Sequence, residues 1–370
     1  MGNKKIKVLV VEDSLVFRGL LVKYINADPD LEVVAVANDP FEARDSIVKY
    51  QPDVMTLDIE LPKMTGIEFL RKLMPQYPVR TIVISSLSDK VFEALRVGAV
   101  DFVAKPVVTE RAALDEFVRN ELPEKIKAAA NARLRASYGK IPERTIPQQN
   151  IQRSEIQPNG QGGLRKTLGN IADIIVAIGA STGGTEATSA ILERFGGDIP
   201  PVVVTQHMPE GFTKMYAERL NNQAGMGVRV KEAEQGELLE RGCVYIAPGG
   251  DRHMEVVRRS NQYYIKLTES DKVNGHRPSV EVLFNSVAKA AGKRAVGIIL
   301  TGMGGDGAKG LLNMRNAGAI TIGQDESTCV VYGMPKVAYD IGAVEYQEKL
   351  LDIPQKTYFC VESIIKRDNL

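Results

Sequence analysis

Cysteine is scarce in this sequence. Cys243, Cys329 and Cys360 are the only three in 370 residues, far apart and odd in number. That spacing provides neither a zinc-type pair nor a disulfide framework, so reduced thiols in a cytosolic protein are expected. A dominant charge is also missing: 47 Lys and Arg stand against 46 Asp and Glu, a formal net charge of +1. Such a balance argues against nucleic acid or an anionic membrane as the main partner. No apolar run approaches the ~18 residues of a membrane span. The opening "MGNKKIKVLVVED" has an apolar run of only about five residues before Glu12 and Asp13, too short for a secretory signal. Direct membrane insertion is therefore not expected. There is no internal repeat, and there are only three histidines, His207, His253 and His276.

What is present is ordinary soluble-protein composition, 44% hydrophobic and 25% charged. The length suits two domains better than one core. Residues 5–118 alternate Val- and Ile-rich strands ("KIKVLVVED", "LEVVAVA", "PDVMTLDI", "RTIVISS", "VDFVAK") with amphipathic helical patterns. Strands apolar on both faces and separated by helices predict a parallel α/β sheet. A helical stretch over roughly 109–136 follows, which Pro123 should kink or divide. From about 138 to 170 the chain is rich in Gln, Asn, Pro and Gly without a period, the composition of a linker. A second α/β series starts at Ile171: "DIIVAIGA", "PPVVVTQ", "VRVKEA", "CVYIAPG", a hairpin "HMEVVRRSNQYYIKLTES" turning at "SNQ", "AVGIILTG" and "GAITIGQ". The expected units are 5–122, a helical extension and flexible linker over 123–170, and 171–362.

In open parallel sheets, ligands bind beyond the carboxyl ends of the strands. In the first unit those ends carry Glu12 and Asp13, Asp58, Ser85, and Lys105. One polar strand end need only mean that it meets water. Four together would gather three carboxylates, a hydroxyl and a lysine. Such carboxylates repel unless a cation joins them, and hard oxygen donors suit Mg²⁺. The lysine could pair with a phosphoryl oxygen, and one carboxylate could serve as nucleophile toward a phosphoryl donor.

"VLVVEDS", "DVMTLDIELPKMTGIE", "IVISS" and "GAVDFVAKP" resemble response-regulator receiver domains over about residues 5–106. The resemblance implies a flavodoxin-like, five-stranded parallel sheet with Asp58 as phospho-acceptor. It implies Mg²⁺ on Glu12, Asp13 and Asp58, with the backbone carbonyl of Glu60 as a further ligand. Ser85 and Lys105 would contact the phosphoryl group, and Phe102 would be the switch aromatic. Ser85 to Lys105 is 20 residues, a little short for receivers, so the intervening helix is expected to lose about one turn.

The second unit opens on "DIIVAIGASTGGTEATSAILERF". G-x-S-x-G between a strand and a helix fits a nucleophile elbow. A dinucleotide loop would need glycine where Ser181 stands, and a Walker A loop would need a lysine that does not follow. On this motif alone a structural turn stays open. A nucleophilic serine needs a base. His207 directly follows "PPVVVTQ" and so sits at a strand carboxyl end like Ser181, favouring it over His253 and His276. The base needs an orienting carboxylate, and Asp306 lies in a third strand–glycine–helix unit, "AVGIILTGMGGDGAKGL". Asp306 as a simple helix cap is the alternative.

"IGASTGG", "VTQHMPEGFT", "YIAPGGDRHMEV", "HRPSVEVLF" and "ILTGMGGDGAKGL" closely resemble chemotaxis protein-glutamate methylesterases, the CheB family, across most of 171–350. The resemblance implies a second doubly wound α/β domain with a mainly parallel sheet. It implies Ser181 as nucleophile, His207 as base and Asp306 as its partner, with Thr182 and the Met303 backbone at the oxyanion and substrate site and no cofactor there. It implies a cytoplasmic hydrolase that removes methyl esters from glutamates on chemoreceptor helices and deamidates glutamines. A chemotaxis histidine kinase would be the phosphodonor. Two other classes remain in play: a catalytically dead binding module, and a transcriptional regulator. The second would need a helix-turn-helix and a basic face, which the glycine-punctuated strands do not supply.

Overall fold

The computed structural model describes residues 4–86, 90–106, 114, 117–134, 173–223 and 227–368. The linker expected at 138–170 lies outside them. The first unit is a sheet of five parallel strands in the order β2-β1-β3-β4-β5: β1 Ile6–Val11, β2 Leu31–Ala37, β3 Val54–Asp58, β4 Arg80–Ser85 and β5 Asp101–Ala104. Every residue of β3 is buried, as continuous apolar runs demand when helices cover both faces. The helices are α1 Leu15–Ile25, α2 Pro40–Tyr50, α3 Gly66–Leu73 and α4 Lys90–Val97. Their starts are chemically marked. Asp39 accepts from the Phe41 and Glu42 amides to cap α2, and Thr65 and Glu68 form a reciprocal capping box on α3.

The described part of the 109–136 stretch is divided next to Pro123, as expected. A π-helical turn, Phe117–Glu121, leads into α5, Leu122–Ala130, with Pro123 in its first turn. Proline has no N–H to donate back into the π-helical turn, which is consistent with the change of helix type at this point. Leu122, Ile126, Ala129 and Ala132 join the core beneath the first sheet.

The second unit is a seven-stranded, all-parallel sheet in the order β14-β13-β12-β6-β7-β9-β8. Its strands are β6 Ile175–Ala180, β7 Val202–Gln206, β8 Arg229–Glu232, β9 Cys243–Ile246, β12 Ala295–Ile299, β13 Ile320–Gln324 and β14 Tyr346–Glu348. Its helices are α6 Gly184–Leu192, α7 Phe212–Asn222, α8 Val280–Ala291, α9 Ala308–Asn316, α10 Met334–Asp340 and α11 Ile353–Asp368. The predicted hairpin is β10 Arg252–Arg259 with β11 Gln262–Glu269, a separate pair. Ser260 and Asn261 form its two-residue turn, both at positive φ, the conformation that follows the right-handed strand twist. β14 was not anticipated: it is three residues long and carries no apolar alternation. Among the described residues no helix is long and apolar enough to cross a membrane.

Candidate active site

β6 pairs with β7 on one side and β12 on the other. The chain therefore changes direction across the sheet at β6, where ligands bind in open α/β folds. Ser181 follows β6, His207 follows β7, and Asp306 lies in the turn after β12, so three adjacent strand ends deliver the three residues. The serine turn is built by close packing. The Ser181 amide donates to the Thr301 carbonyl at 3.0 Å, and the Ser181 carbonyl accepts from Gly184 N at 2.7 Å. Gly183 has φ +76°, and a Cβ there would lie 2.6 Å from Val330. A Cβ at Gly179 would lie 2.1 Å from Val280, so the elbow strand accepts α8 against it only as glycine.

His207 Nε2 lies 2.8 Å from Asp306 Oδ2. Nδ1 is buried and has no hydrogen-bond partner, which leaves it as the nitrogen that can serve Ser181. Asp306 is 2% exposed and receives four further donors. Asn274 Nδ2 and Ser279 Oγ each reach Oδ1 at 2.8 Å, Glu281 N reaches Oδ1 at 3.3 Å, and Val280 N reaches Oδ2 at 2.7 Å. Burial alone would raise its pKa. The hydrogen bond and charge of His207, with the Asn274 and Ser279 bonds, outweigh burial and hold the carboxyl well below the usual range. The helix-cap alternative is also realised. Asp306 caps the amino terminus of α8, whose partial positive charge favours a carboxylate, rather than its own helix, which Gly307 caps.

His253 is settled as structural. It is fully buried, with Nε2 on the Asp271 carbonyl at 2.9 Å and Nδ1 accepting from Ser279 N at 3.1 Å. His276, by contrast, lies face to face with His207, ring centroids 3.7 Å apart and planes 16° from parallel.

In the first unit, Glu12, Asp13 and Asp58 bring carboxylate oxygens within 4.8 Å of one another. Lys105 Nζ bridges Asp58 at 2.8 Å and Glu12 at 3.0 Å. Burial, then the neighbouring Asp58 charge, raises the Glu12 pKa to about 7 despite that lysine. Glu60 N donates to Asp58 Oδ1 at 3.0 Å. Ser85 is buried at the end of β4.

The sequence matches the family model "Response regulator receiver domain" over residues 8–117 and "CheB methylesterase" over 176–357. It is 51% identical to the protein-glutamate methylesterase/protein-glutamine glutaminase 2 of Syntrophomonas wolfei, over 98% of this chain and 100% of that one. It is 49% identical to protein-glutamate methylesterase/protein-glutamine glutaminase 1 of Caulobacter vibrioides, over 95% of this chain and 96% of that one. The crystal structure of the Thermotoga maritima CheB methylesterase catalytic domain is 40% identical, covering 50% of this chain and 96% of its own, with a TM-score of 0.48.

The chain belongs to the CheB methylesterase family.

In this CheB-family chain the two units meet at the serine. A cavity of about 800 Å³ holds Ser181, His207 and Asp306 on one wall and Glu121, Glu124 and Lys125 of the receiver side on the other. Thr182 Oγ1 donates to Asp101 Oδ2 at 2.5 Å, and Lys125 Nζ holds the same oxygen at 2.7 Å. Met303 packs against the receiver-side core. Phe102 is buried against Phe212, centroids 4.9 Å apart, and Phe92 stacks on Tyr216 at 5.8 Å. Arg133 ties the end of the receiver to the loop before α10, through the Glu326 side chain at 2.6 Å and its own amide on the Val330 carbonyl at 2.9 Å. Sequence reasoning missed Asp101, Lys125, Asn274 and Ser279. Asp101 and Ser279 lie inside quoted motifs, in "GAVDFVAKP" and "HRPSVEVLF", but the partners of all four lie far away in the sequence, where no local pattern announces them.

Proposed function

We propose that this chain is a serine esterase, controlled by phosphorylation, that hydrolyses glutamate methyl esters on the cytoplasmic helices of chemoreceptors and deamidates glutamines there. The observation that carries this is the Asp306–His207 pair at the strand ends flanking Ser181. His207 Nδ1 takes the Ser181 proton as Oγ attacks the glutamyl carbonyl. The proton passes to the leaving methanol, or to ammonia from glutamine, and water then releases glutamate from the acyl-enzyme. Positioned proton transfer of this kind contributes about 10²–10⁴-fold. The Thr182 hydroxyl and backbone N–H groups around Met303 serve the oxyanion. The test is labelling of Ser181 by a fluorophosphonate, with methanol and ammonia release from receptor membranes measured with and without a phosphodonor. Failure of the folded protein to label, with no release, would favour a binding module.

Control runs through the first unit, here assigned to 5–122, with 123–170 connecting it to the catalytic unit 171–362. Both family matches fall inside these limits. Asp58 is the phospho-acceptor for a chemotaxis histidine kinase, and Ser85, Lys105 and Phe102 read its state. The donor set of Glu12, Asp13, Asp58 and the Glu60 carbonyl fits Mg²⁺: oxygen donors only, with a desolvated carboxylate facing a second one. When bound, Mg²⁺ supplies the charge neutralisation that lets phosphoryl oxygens approach these carboxylates. Glu12 must shed its proton to take part. With a pKa of about 7, apparent Mg²⁺ affinity is expected to rise about tenfold between pH 6 and pH 8, then level off. Isothermal titration calorimetry across this pH range reads the affinity directly, and a flat profile would show that Glu12 does not titrate between pH 6 and pH 8.

In the unphosphorylated form, Asp101 occupies the Thr182 hydroxyl and the receiver forms one wall of the cavity. Phosphorylation loosens that packing. Asp101→Ala removes the contacts of this carboxylate with Thr182, Lys125 and the Phe102 amide; the bond that crosses to the catalytic unit, from Thr182, belongs to a class worth about 1.5–3 kcal/mol. Basal methanol release without phosphodonor is therefore expected to rise at least about tenfold. Unchanged basal release would show that this contact does not restrain the site.

A further inference from the structure

We propose that His276 is a positioning residue for the base: its ring, stacked on His207, fixes the plane of the His207 imidazole and so holds Nδ1 where Ser181 can use it. The proposal rests on the esterase reading above.

The need for such a residue follows from which nitrogen carries the carboxylate. Asp306 binds Nε2. Nε2 lies nearer than Nδ1 to the line of the Cβ–Cγ bond about which the ring rotates, so a single hydrogen bond at Nε2 holds the ring plane less firmly than one at Nδ1 would. Nδ1 lies well off that line. Its position is set by the ring plane, and no hydrogen bond to Nδ1 supplies the restraint. The flat contact at 3.7 Å and 16° does.

The stacking ring is itself rigidly mounted. Val273 and His276 close a tight turn by exchanging backbone hydrogen bonds of 3.1 and 3.0 Å, with Asn274 and Gly275 at positive φ between them. Arg277 ties the far side to the Gly250 carbonyl at 3.0 Å and the Ser270 carbonyl at 2.7 Å. Asn274 in the same turn reaches Asp306 at 2.8 Å. One turn thus places an amide on the orienting carboxylate and a ring on the base.

His276 is not a second base. Burial first, then the neighbouring His207 charge, lowers its pKa to about 3 against the opposing pull of Asp306, with Lys125 and Lys272 adding to the depression. It therefore stays neutral at working pH and acts through its face.

The test uses the full-length protein with phosphodonor present and compares His276→Phe, His276→Leu and His276→Ala. Phenylalanine keeps a flat face without ring nitrogens, and leucine keeps apolar bulk without a plane. The expected result is that Ala and Leu lower both kcat for methanol release and the fluorophosphonate labelling rate of Ser181 by about 10–100-fold, as misplaced catalytic groups do. KM should stay within about twofold, and Phe should restore most of the loss. Phe no better than Leu, or Ala as fast as wild type, would overturn the proposal. If Ala fails to fold, the space-filling Phe and Leu pair still decides it. If the wild type itself does not label at Ser181, the esterase reading fails; if it labels and all three variants match it, only the positioning role fails.

Discussion

Ser181→Ala is expected to abolish methanol release from methylated receptor, a fall of about 10⁶-fold in kcat, while leaving the protein folded. The structural duties of Ser181 run through its backbone: its amide on Thr301, and its carbonyl accepting from Gly184 and from Gln206 Nε2 at 3.0 Å. Its hydroxyl has no bond to His207 Nδ1 in this state, so removing it breaks no structural contact there. Alanine keeps the Cβ and the same backbone preferences. Circular dichroism and the melting temperature should stay close to wild type, and fluorophosphonate labelling should vanish. A folded variant that still released methanol at the wild-type rate would sink the assignment of the nucleophile. The specificity of this result lies in the neighbouring contacts. A Cβ added at Gly302 would lie 2.3 Å from Met334 Sδ and 2.7 Å from Ser181 Cβ. Gly302→Ala would therefore lose activity through a displaced turn, with a lower melting temperature, whereas Ser181→Ala loses it through chemistry alone.

These two outcomes mark what could be read from the sequence and what could not. Ser181, His207 and Asp306 were legible because each follows a buried β-branched run, and the period of such runs shows where a strand ends. The five strands of the receiver and its carboxylate cluster were legible for the same reason. Adjacency within a sheet leaves a trace in sequence, since consecutive strands tend to be neighbours; contacts between loops leave none. Asp306 caps α8, which precedes it in the chain, and the amide of Asn274 meets it from a turn about thirty residues upstream. Nothing local to either segment announces the meeting. The sequence favoured His207 over His253 because His207 directly follows a buried strand, but it could not show what either ring touches. Only the structure shows both nitrogens of His253 satisfied by backbone and one nitrogen of His207 left over. The union of the two units was hidden more completely. Phe92, Phe102, Phe212 and Tyr216 have the character of core residues of their own units. They become an interface only because the α4–β5 edge of one sheet lies on α7 of the other unit.

Asp306→Asn is expected to lower kcat about 10⁴-fold with little change in KM, and also to destabilise the fold. The two losses share one cause. Five donors converge on two oxygens, and an amide replaces one oxygen by an N–H donor. If the amide nitrogen takes the Oδ2 position, it confronts the Val280 amide. His207 can then accept at Nε2 only by moving its proton to Nδ1, which leaves the base in the wrong tautomer for Ser181. If it takes the Oδ1 position, the Ser279 hydroxyl can rotate to accept, but Asn274 and Glu281 N still face a donor. Each buried donor left unmatched costs about 1–3 kcal/mol, and the negative charge at the α8 amino terminus is lost as well. The pH dependence separates this from a loss of packing. The folded state holds Asp306 below the ordinary carboxyl pKa, so its contribution is fully present above about pH 4. It fades as pH falls through the lower folded value, because the unfolded chain then binds the proton more readily. The stability difference between wild type and Asp306→Asn, from urea unfolding, should therefore shrink on acidification below about pH 4. A difference that stayed constant down to the acid limit would assign the cost to shape rather than charge, and would leave the orientation of His207 to the stack with His276.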